Sequence, residues 1–328
     1  MNVIVRRILV LLSALLLSAA FSMSVLAEDE IPLEDLDLTD IEAVTIETPL
    51  VSNPLPIDFS AGFPPQETGY SDEYTYKDPT IEVHIEFRDV TEYQNQKKRT
   101  AGAWIVDIRV GDASQLRTAA AESFDVNNAW PFEKIAAPLA PVVACNGDYV
   151  TRLNEGFIIR QGTLFRDRLK GRRDVLLIDE DGDFHVLVKP QKGTVSDTVD
   201  GKKIVNAFYF GPVLVENGEI PEKMTDFTYL EPDKFYTRLA ICQVGPLHYK
   251  IILTTNNQDS NLTSGLKIKD FARLCRDEGA QTAFNLDGGY STTLYFNGQR
   301  VNAQKNVEFR DVPDIVYFAS AWNGGNAE

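Results

Sequence analysis

The stretch Phe284-Asn285-Leu286-Asp287-Gly288-Gly289-Tyr290-Ser291-Thr292-Thr293 gathers one carboxylate, two glycines and three hydroxyls directly after a short apolar run. Adjacent glycines let backbone N–H groups approach an anion and accept positive φ without a steric penalty. A carboxylate beside that anion needs basic balance. The pattern therefore suits a ligand with two regions, one to be held and one to be attacked. The same letters also suit a hairpin, because Asp-Gly between β-prone runs favours a two-residue turn.

Three other segments bear on that choice. Ala144-Cys145-Asn146-Gly147-Asp148-Tyr149 closes an apolar strand. Thr237-Arg238-Leu239-Ala240-Ile241-Cys242-Gln243 sets one arginine at the head of an otherwise apolar strand, where a buried cation needs an anionic partner. Gly211-Pro212-Val213-Leu214-Val215-Glu216-Asn217-Gly218 completes the set. In this order the four pieces resemble the phosphodiester glycosidase family over roughly residues 80 to 320, with Asn285-Leu286-Asp287-Gly288-Gly289 and Ser291 as the most specific part. The chain departs from the family pattern in three places. Asp148 and Val150 replace the third and last residues of Asn-Gly-Gly-Tyr-Phe, Cys242 replaces a glycine, and Thr255-Asn256-Asn257 stands where the family has Asp-Gly-Arg.

The resemblance implies a substrate in which a sugar is joined through its anomeric carbon to a phosphodiester, with water replacing the phosphate. An alkoxide leaving group must be protonated as it departs, which is why two carboxylates ordinarily flank a glycosidic bond. A phosphate monoester has a conjugate-acid pKa of about 6. It leaves with little acid help once its charge is stabilised, so one carboxylate and an anion clamp suffice. Asp287 is then the carboxylate that attacks or activates water, with Asp148 as a possible second group. Arg238 and the N–H groups of Gly288 and Gly289 are the expected clamp, and Asn146, Gly147 and Ser291 the expected neutral contacts. Two rivals remain open: a phosphodiesterase cleaving P–O, and a non-catalytic module that binds phosphorylated envelope glycans.

Composition narrows the setting. Arg6 and Arg7 precede the apolar run Ile8 to Ala20, and Val25-Leu26-Ala27 has the small-residue pattern of a signal peptidase site. Residues 1–27 therefore read as a signal peptide, with an uncleaved anchor as the alternative, and the protein is expected to be secreted or to lie in the cell envelope. Residues 28–79 hold fourteen Asp or Glu and one Lys among scattered prolines, the composition of a solvated linker. That segment carries most of the net charge of −16, so the body from residue 80 to 328 is only mildly acidic. With no basic patch or helix, nucleic acid is not an expected partner. The expected ligand is a phosphorylated glycan or sugar-1-phosphodiester, with no membrane span after signal cleavage.

No cofactor and no metal are expected, since the three cysteines and His84, His185 and His248 match no ligand spacing. Cys145, Cys242 and Cys275 read as buried thiols, with a Cys145–Cys242 disulfide as the alternative. Glu216 and Asp179 fall in hairpin turns and read as solvated.

Alternating or continuous apolar runs separated by turn residues predict many strands, among them Ile81 to Phe87, Ala103 to Val110, Val175 to Ile178, Phe208 to Val215, Leu239 to Val244 and Ile315 to Phe318. Ile268, Phe271, Ala272 and Cys275 follow helical spacing up to Gly279. A weaker helix is expected near 127 to 137, interrupted by Pro131. The fold class is α+β: mixed, largely antiparallel sheets with a few helices.

Overall fold

The computed structural model describes residues 70–94, 100–124, 127–149, 153–227, 230–255, 265–302 and 308–322. The expected signal peptide and most of the acidic linker lie outside these residues. The linker's last part does not. Residues 70–71 and 75–77 pair into the main sheet, so the folded body begins at least ten residues before the boundary expected at Thr80.

Three antiparallel sheets make up the described fold. The first runs, in spatial order, Tyr70–Ser71 (β1), Thr75–Lys77 (β2), Ile81–Asp89 (β3), Gly102–Val110 (β4), His248–Thr255 (β15), Leu239–Gly245 (β14), Thr282–Leu286 (β16) and Val213–Val215 (β13). The second orders Phe184–Leu187 (β10), Asp174–Asp179 (β9), Lys202–Phe210 (β12), Gly156–Arg160 (β7) and Thr163–Arg168 (β8), with Thr198–Val199 (β11) paired to β12. The third orders Gln299–Arg300 (β18), Leu294–Phe296 (β17), Val143–Asn146 (β6), Asp314–Phe318 (β19) and Leu116–Ala120 (β5).

Side-chain alternation explains why the central strands read as unbroken apolar runs. Val106 and Ile108, Leu239 and Ile241, and Ile251 and Leu253 face a core shared with the other two sheets. The intervening Ile105, Ala240, Cys242 and Ile252 face a second core. Both faces of the sheet are buried, which removes the polar half of the usual alternation.

Two α-helices are described: Phe132–Ala136 (α1) and Ile268–Asp277 (α2). The expected interruption at Pro131 is instead the start of α1, since proline lacks the N–H that a helix interior needs. Helix α2 buries Ile268, Phe271, Ala272 and Cys275 on the second core, and Gly279 follows it at φ +87°.

The thiols are distributed by the same alternation. Cys145 lies in the first core and Cys242 in the second, on opposite faces, so the Cys145–Cys242 pairing is not formed. The neighbour of Cys242 is Cys275 of α2, whose thiol is pushed up by burial and by Cys242; all three thiols are free and buried. Asp179 also differs from expectation. It is 1 % exposed and accepts from His185 Nε2 at 2.9 Å and from the backbone N–H groups of Asp181 and Asp183. It organises its turn from within, whereas Glu216 is exposed as expected.

Candidate active site

The Asp287-Gly288-Gly289 segment is not a hairpin. β16 ends at Leu286 in the first sheet, and the next strand, β17, begins at Leu294 in the third. The intervening residues cross between sheets, with a single 3-10 turn at Gly289–Ser291. The Asp287 N–H donates to Gly147 O at 3.2 Å, which ties this crossing to the end of β6. Asn146 completes the tie, donating through Nδ2 to Asp287 O at 2.7 Å and accepting the Thr293 N–H on Oδ1 at 3.0 Å. Its amide is committed to holding the crossing in place, in contrast to the ligand contact expected of it.

The glycines divide by function. A Cβ on Gly147 would fall 2.2 Å from Asp314 Oδ2, so this residue is glycine because a carboxylate lies against it. A Cβ on Gly288 would lie 2.5 Å from Thr237 O. Gly289 takes φ +64°, and its N–H donates to that same carbonyl at 2.9 Å, so it is not available as an anion donor.

The Asp287 carboxyl, part-buried, has Oδ2 shut off from solvent without a hydrogen-bond partner. Burial pushes its pKa up to about 6, against the opposing pull of the Ser291 hydroxyl, Arg310 and Arg173, and Asp148 adds to the rise. Ser291 is 1 % exposed, and its Oγ faces this carboxyl without closing a hydrogen bond of ordinary geometry. Ser291, expected as a neutral contact to the ligand, thus lies beside Asp287. Thr292 Oγ1 and Asn285 Oδ1 are likewise buried and unpartnered nearby in the chain. Arg310, exposed, is fastened to the crossing by its backbone N–H, which donates to Tyr290 O at 3.0 Å.

Asp148 is not a second reactive carboxyl. It is fully buried, ion-paired with Arg160 Nη2 at 2.9 Å and hydrogen-bonded by the Tyr209 N–H at 2.7 Å. Arg160 Nη2 also reaches Asp314 Oδ2 at 3.2 Å, and the Arg160 guanidinium stacks over Phe208 at 4.2 Å. One arginine therefore serves two buried aspartates. Burial and the neighbouring Asp148 charge push Asp314 well above the usual carboxylate range, which is how the cluster avoids a second uncompensated charge.

Arg238, expected to clamp phosphate, is committed elsewhere. Its Nε donates to Leu266 O at 3.2 Å, Nη1 to Leu230 O at 2.8 Å, and Nη2 to Glu231 O at 3.0 Å and Lys234 O at 3.2 Å. Burial lowers its pKa to about 10, with Tyr236 and Glu231 opposing the fall. Its role is to pin the 230–236 loop to the first sheet.

Sequence reasoning missed Arg173. It is 6 % exposed at the head of β9, its Nη1 has no hydrogen-bond partner, and its guanidinium sits over Phe227 at 4.1 Å and Phe210 at 5.1 Å. Burial depresses its pKa, while the charges of Tyr209, Glu155, Asp148 and Asp287 oppose the fall. Connectivity brings it there. Phe210 pairs with Asp174, and the following Gly211 donates to Asn285 O at 3.1 Å, so the β9 and β12 ends meet the β16 end just before Asp287. The signal that singled out Arg238, an arginine heading an apolar strand, is equally present at Arg173.

Among the described residues no group of three or more His, Cys, Asp or Glu is placed to hold a metal, and no helix is long and apolar enough to cross a membrane. Three sheet ends thus meet beside a carboxyl whose pKa burial raises to about 6 and whose charge Arg310 and Arg173 oppose. Residues 140–319 match the family model for phosphodiester glycosidase, and the chain belongs to that family of glycosidase-type hydrolases. Its fold is similar to that of the zebrafish N-acetylglucosamine-1-phosphodiester α-N-acetylglucosaminidase catalytic domain, auto-inhibited by its pro-peptide, at 20 % identity and TM-score 0.59 over 77 % of this chain and 88 % of that one. A hypothetical protein from Synechocystis is similar at 15 % identity and TM-score 0.52, over 73 % of this chain and 62 % of that one. No curated protein sequence matches the chain.

Proposed function

We propose that the protein hydrolyses a sugar-1-phosphodiester at the anomeric C–O bond, with N-acetylglucosamine as the first sugar to try because the zebrafish enzyme is named for it. The observation that carries this reading is Asp287. It is a carboxyl with one buried, unpartnered oxygen and a pKa of about 6, ionised at neutral pH yet poorly solvated. Such a group is a competent base or nucleophile. With Asp148 held by Arg160 and the Tyr209 N–H, the site does not present the matched carboxyl pair of an ordinary glycosidase. A phosphate leaving group removes the need for one.

In the direct route, ionised Asp287 takes a proton from water as the water oxygen bonds to the anomeric carbon. The C–O bond breaks, and its electron pair leaves on the phosphate monoester. In the covalent route the carboxylate attacks first and water then hydrolyses the sugar ester. Both place the water oxygen on the sugar. Hydrolysis in oxygen-18 water should therefore label the sugar, and label on the phosphate would overturn the reading in favour of P–O cleavage. Sugar-1-phosphodiesters should react much faster than alkyl glycosides of the same sugar, and Asp287→Asn should fold but lose turnover by about a thousand-fold or more. A variant that turns over normally would assign the chemistry to another group, whereas a parent that binds the phosphodiester without hydrolysing it would support the non-catalytic glycan-binding alternative.

The basic, apolar and small-residue pattern of residues 1–27 supports export. Secreted protein should have an intact mass corresponding to a start near Glu28.

A further inference from the structure

Buried charges in proteins are paired, because removing a guanidinium from water without replacing its hydrogen bonds is costly. Each other deeply buried arginine near the site obeys this. Arg160 has two aspartates and two carbonyls, and Arg238 has four carbonyls. Arg173 makes no hydrogen bond or ion pair among the described residues, although it is 6 % exposed and its Nη1 is closed off from solvent. Its position is nevertheless defined. Phe210 and Phe227 form an edge-on pair with centroids 5.5 Å apart, and the guanidinium sits in their corner. Next to it, Asp174 accepts from the Val213 N–H at 2.9 Å, from Thr225 Oγ1 at 2.6 Å and from the Lys189 N–H at 3.1 Å, so the backbone that carries Arg173 is fixed. Aromatic contact orients the plane of the fork and leaves N–H edges for a ligand.

We infer that Arg173 is the anchor for the phosphate of the substrate, holding a non-bridging oxygen while Asp287 acts on the anomeric carbon. This inference rests on the sugar-phosphodiester reading above. Two further features fit it. Asp287 would repel a phosphodiester anion brought against it, and Arg173 is a cation whose charge opposes that of the carboxyl. The exposed Lys170 and Arg172, beside Glu155 at 3.6 and 3.7 Å, precede Arg173 in the chain and give an anion a basic approach. As the C–O bond breaks, negative charge grows on the phosphate, so the contact is stronger in the transition state than in the ground state.

The test uses the full chain with Arg173→Gln, Arg173→Lys and Asp287→Asn. Inorganic phosphate binding is measured by calorimetry, and hydrolysis of methyl N-acetylglucosamine-1-phosphodiester is compared with that of methyl N-acetylglucosaminide. Arg173→Gln should raise the phosphate Kd about ten- to a hundred-fold, the range for losing a charge-assisted contact. It should lower kcat/KM by a similar factor for the phosphodiester and far less for the plain glycoside, a split that a merely structural role would not produce. Arg173→Lys keeps the charge without the fork and should recover part of the loss, and it serves as the test should the glutamine variant not fold. Asp287→Asn should bind phosphate at least as well as the parent. A phosphate Kd within two-fold of the parent in folded Arg173→Gln, or equal losses on both substrates, would overturn the anchor while leaving the glycosidase reading intact. Arg173-dependent phosphate binding in a protein that hydrolyses no sugar phosphodiester would overturn the glycosidase reading and leave the anion site standing.

Discussion

Two arginines head two apolar strands of this protein, and their surroundings are opposite. Around Arg238, each end of the guanidinium meets a backbone carbonyl, and the 230–236 loop is fastened to the sheet as a result. Around Arg173, no hydrogen bond is made among the described residues, and unpartnered atoms of Asn285 near the end of β16 and of Asp287, Ser291 and Thr292 in the crossing that follows lie close by in the chain. The first region is arranged for stability. The second holds polar groups that folding alone leaves unsatisfied, which is the condition expected of a place that meets a ligand.

Removing each arginine should separate the two regions. The largest effect on stability is expected for Arg238→Leu, which takes the guanidinium from the carbonyls of Leu230, Glu231, Lys234 and Leu266, of which Glu231 and Leu266 keep the N–H groups of Lys234 and Tyr236 as donors. A loss of about 3 kcal/mol is expected in urea unfolding, given 1–3 kcal/mol for a single unsatisfied buried group. A loss below about 1 kcal/mol would show that the loop carbonyls find water, and would remove the contrast.

A smaller effect of opposite sign is expected for Asp287→Asn. The carboxyl has a folded-state pKa of about 6, above its unfolded value, so the folded protein is penalised once the group ionises. The penalty is absent below about pH 4, grows as pH rises, and is complete above the folded pKa. Two pH units correspond to roughly 3 kcal/mol, but partial exposure and screening reduce this to about 1–2 kcal/mol. Asp287→Asn should therefore melt higher than the parent at pH 8 and equally at pH 4. Equal melting at both values would mean that the carboxyl is better solvated than its geometry indicates. The same titration governs activity: a base or nucleophile works ionised, so kcat/KM should rise through about pH 6 and then level, whereas a fall there would make Asp287 a general acid.

The smallest change is expected for Arg173→Leu. Replacing an unpaired buried cation by an apolar side chain removes a desolvation penalty along with the stacking on Phe210 and Phe227, so stability should move by no more than about 1 kcal/mol in either direction. Phosphate binding should be lost all the same. Destabilisation as large as that of Arg238→Leu would show that Arg173 is a structural residue after all.

The sequence determined most of the strands, helix α2 and the glycine-bearing segment around Asp287. Each is written in neighbouring residues: side-chain alternation, helical spacing, or a run of glycines that tolerates close approach. The long run Phe208 to Val215 shows the limit of that reading, because Gly211-Pro212 divides it between two sheets. Tertiary structure alone decided which arginine was satisfied. Arg173 and Arg238 carry the same local signal, and what distinguishes them is whether carbonyls from residues 230 to 266 or the rings of Phe210 and Phe227 come to surround the guanidinium. It likewise decided that Asp148 is neutralised by Arg160 together with Asp314, 166 positions further along, and that Cys242 neighbours Cys275 and not Cys145. Pairing and desolvation depend on which distant segments meet, and no local pattern records that meeting.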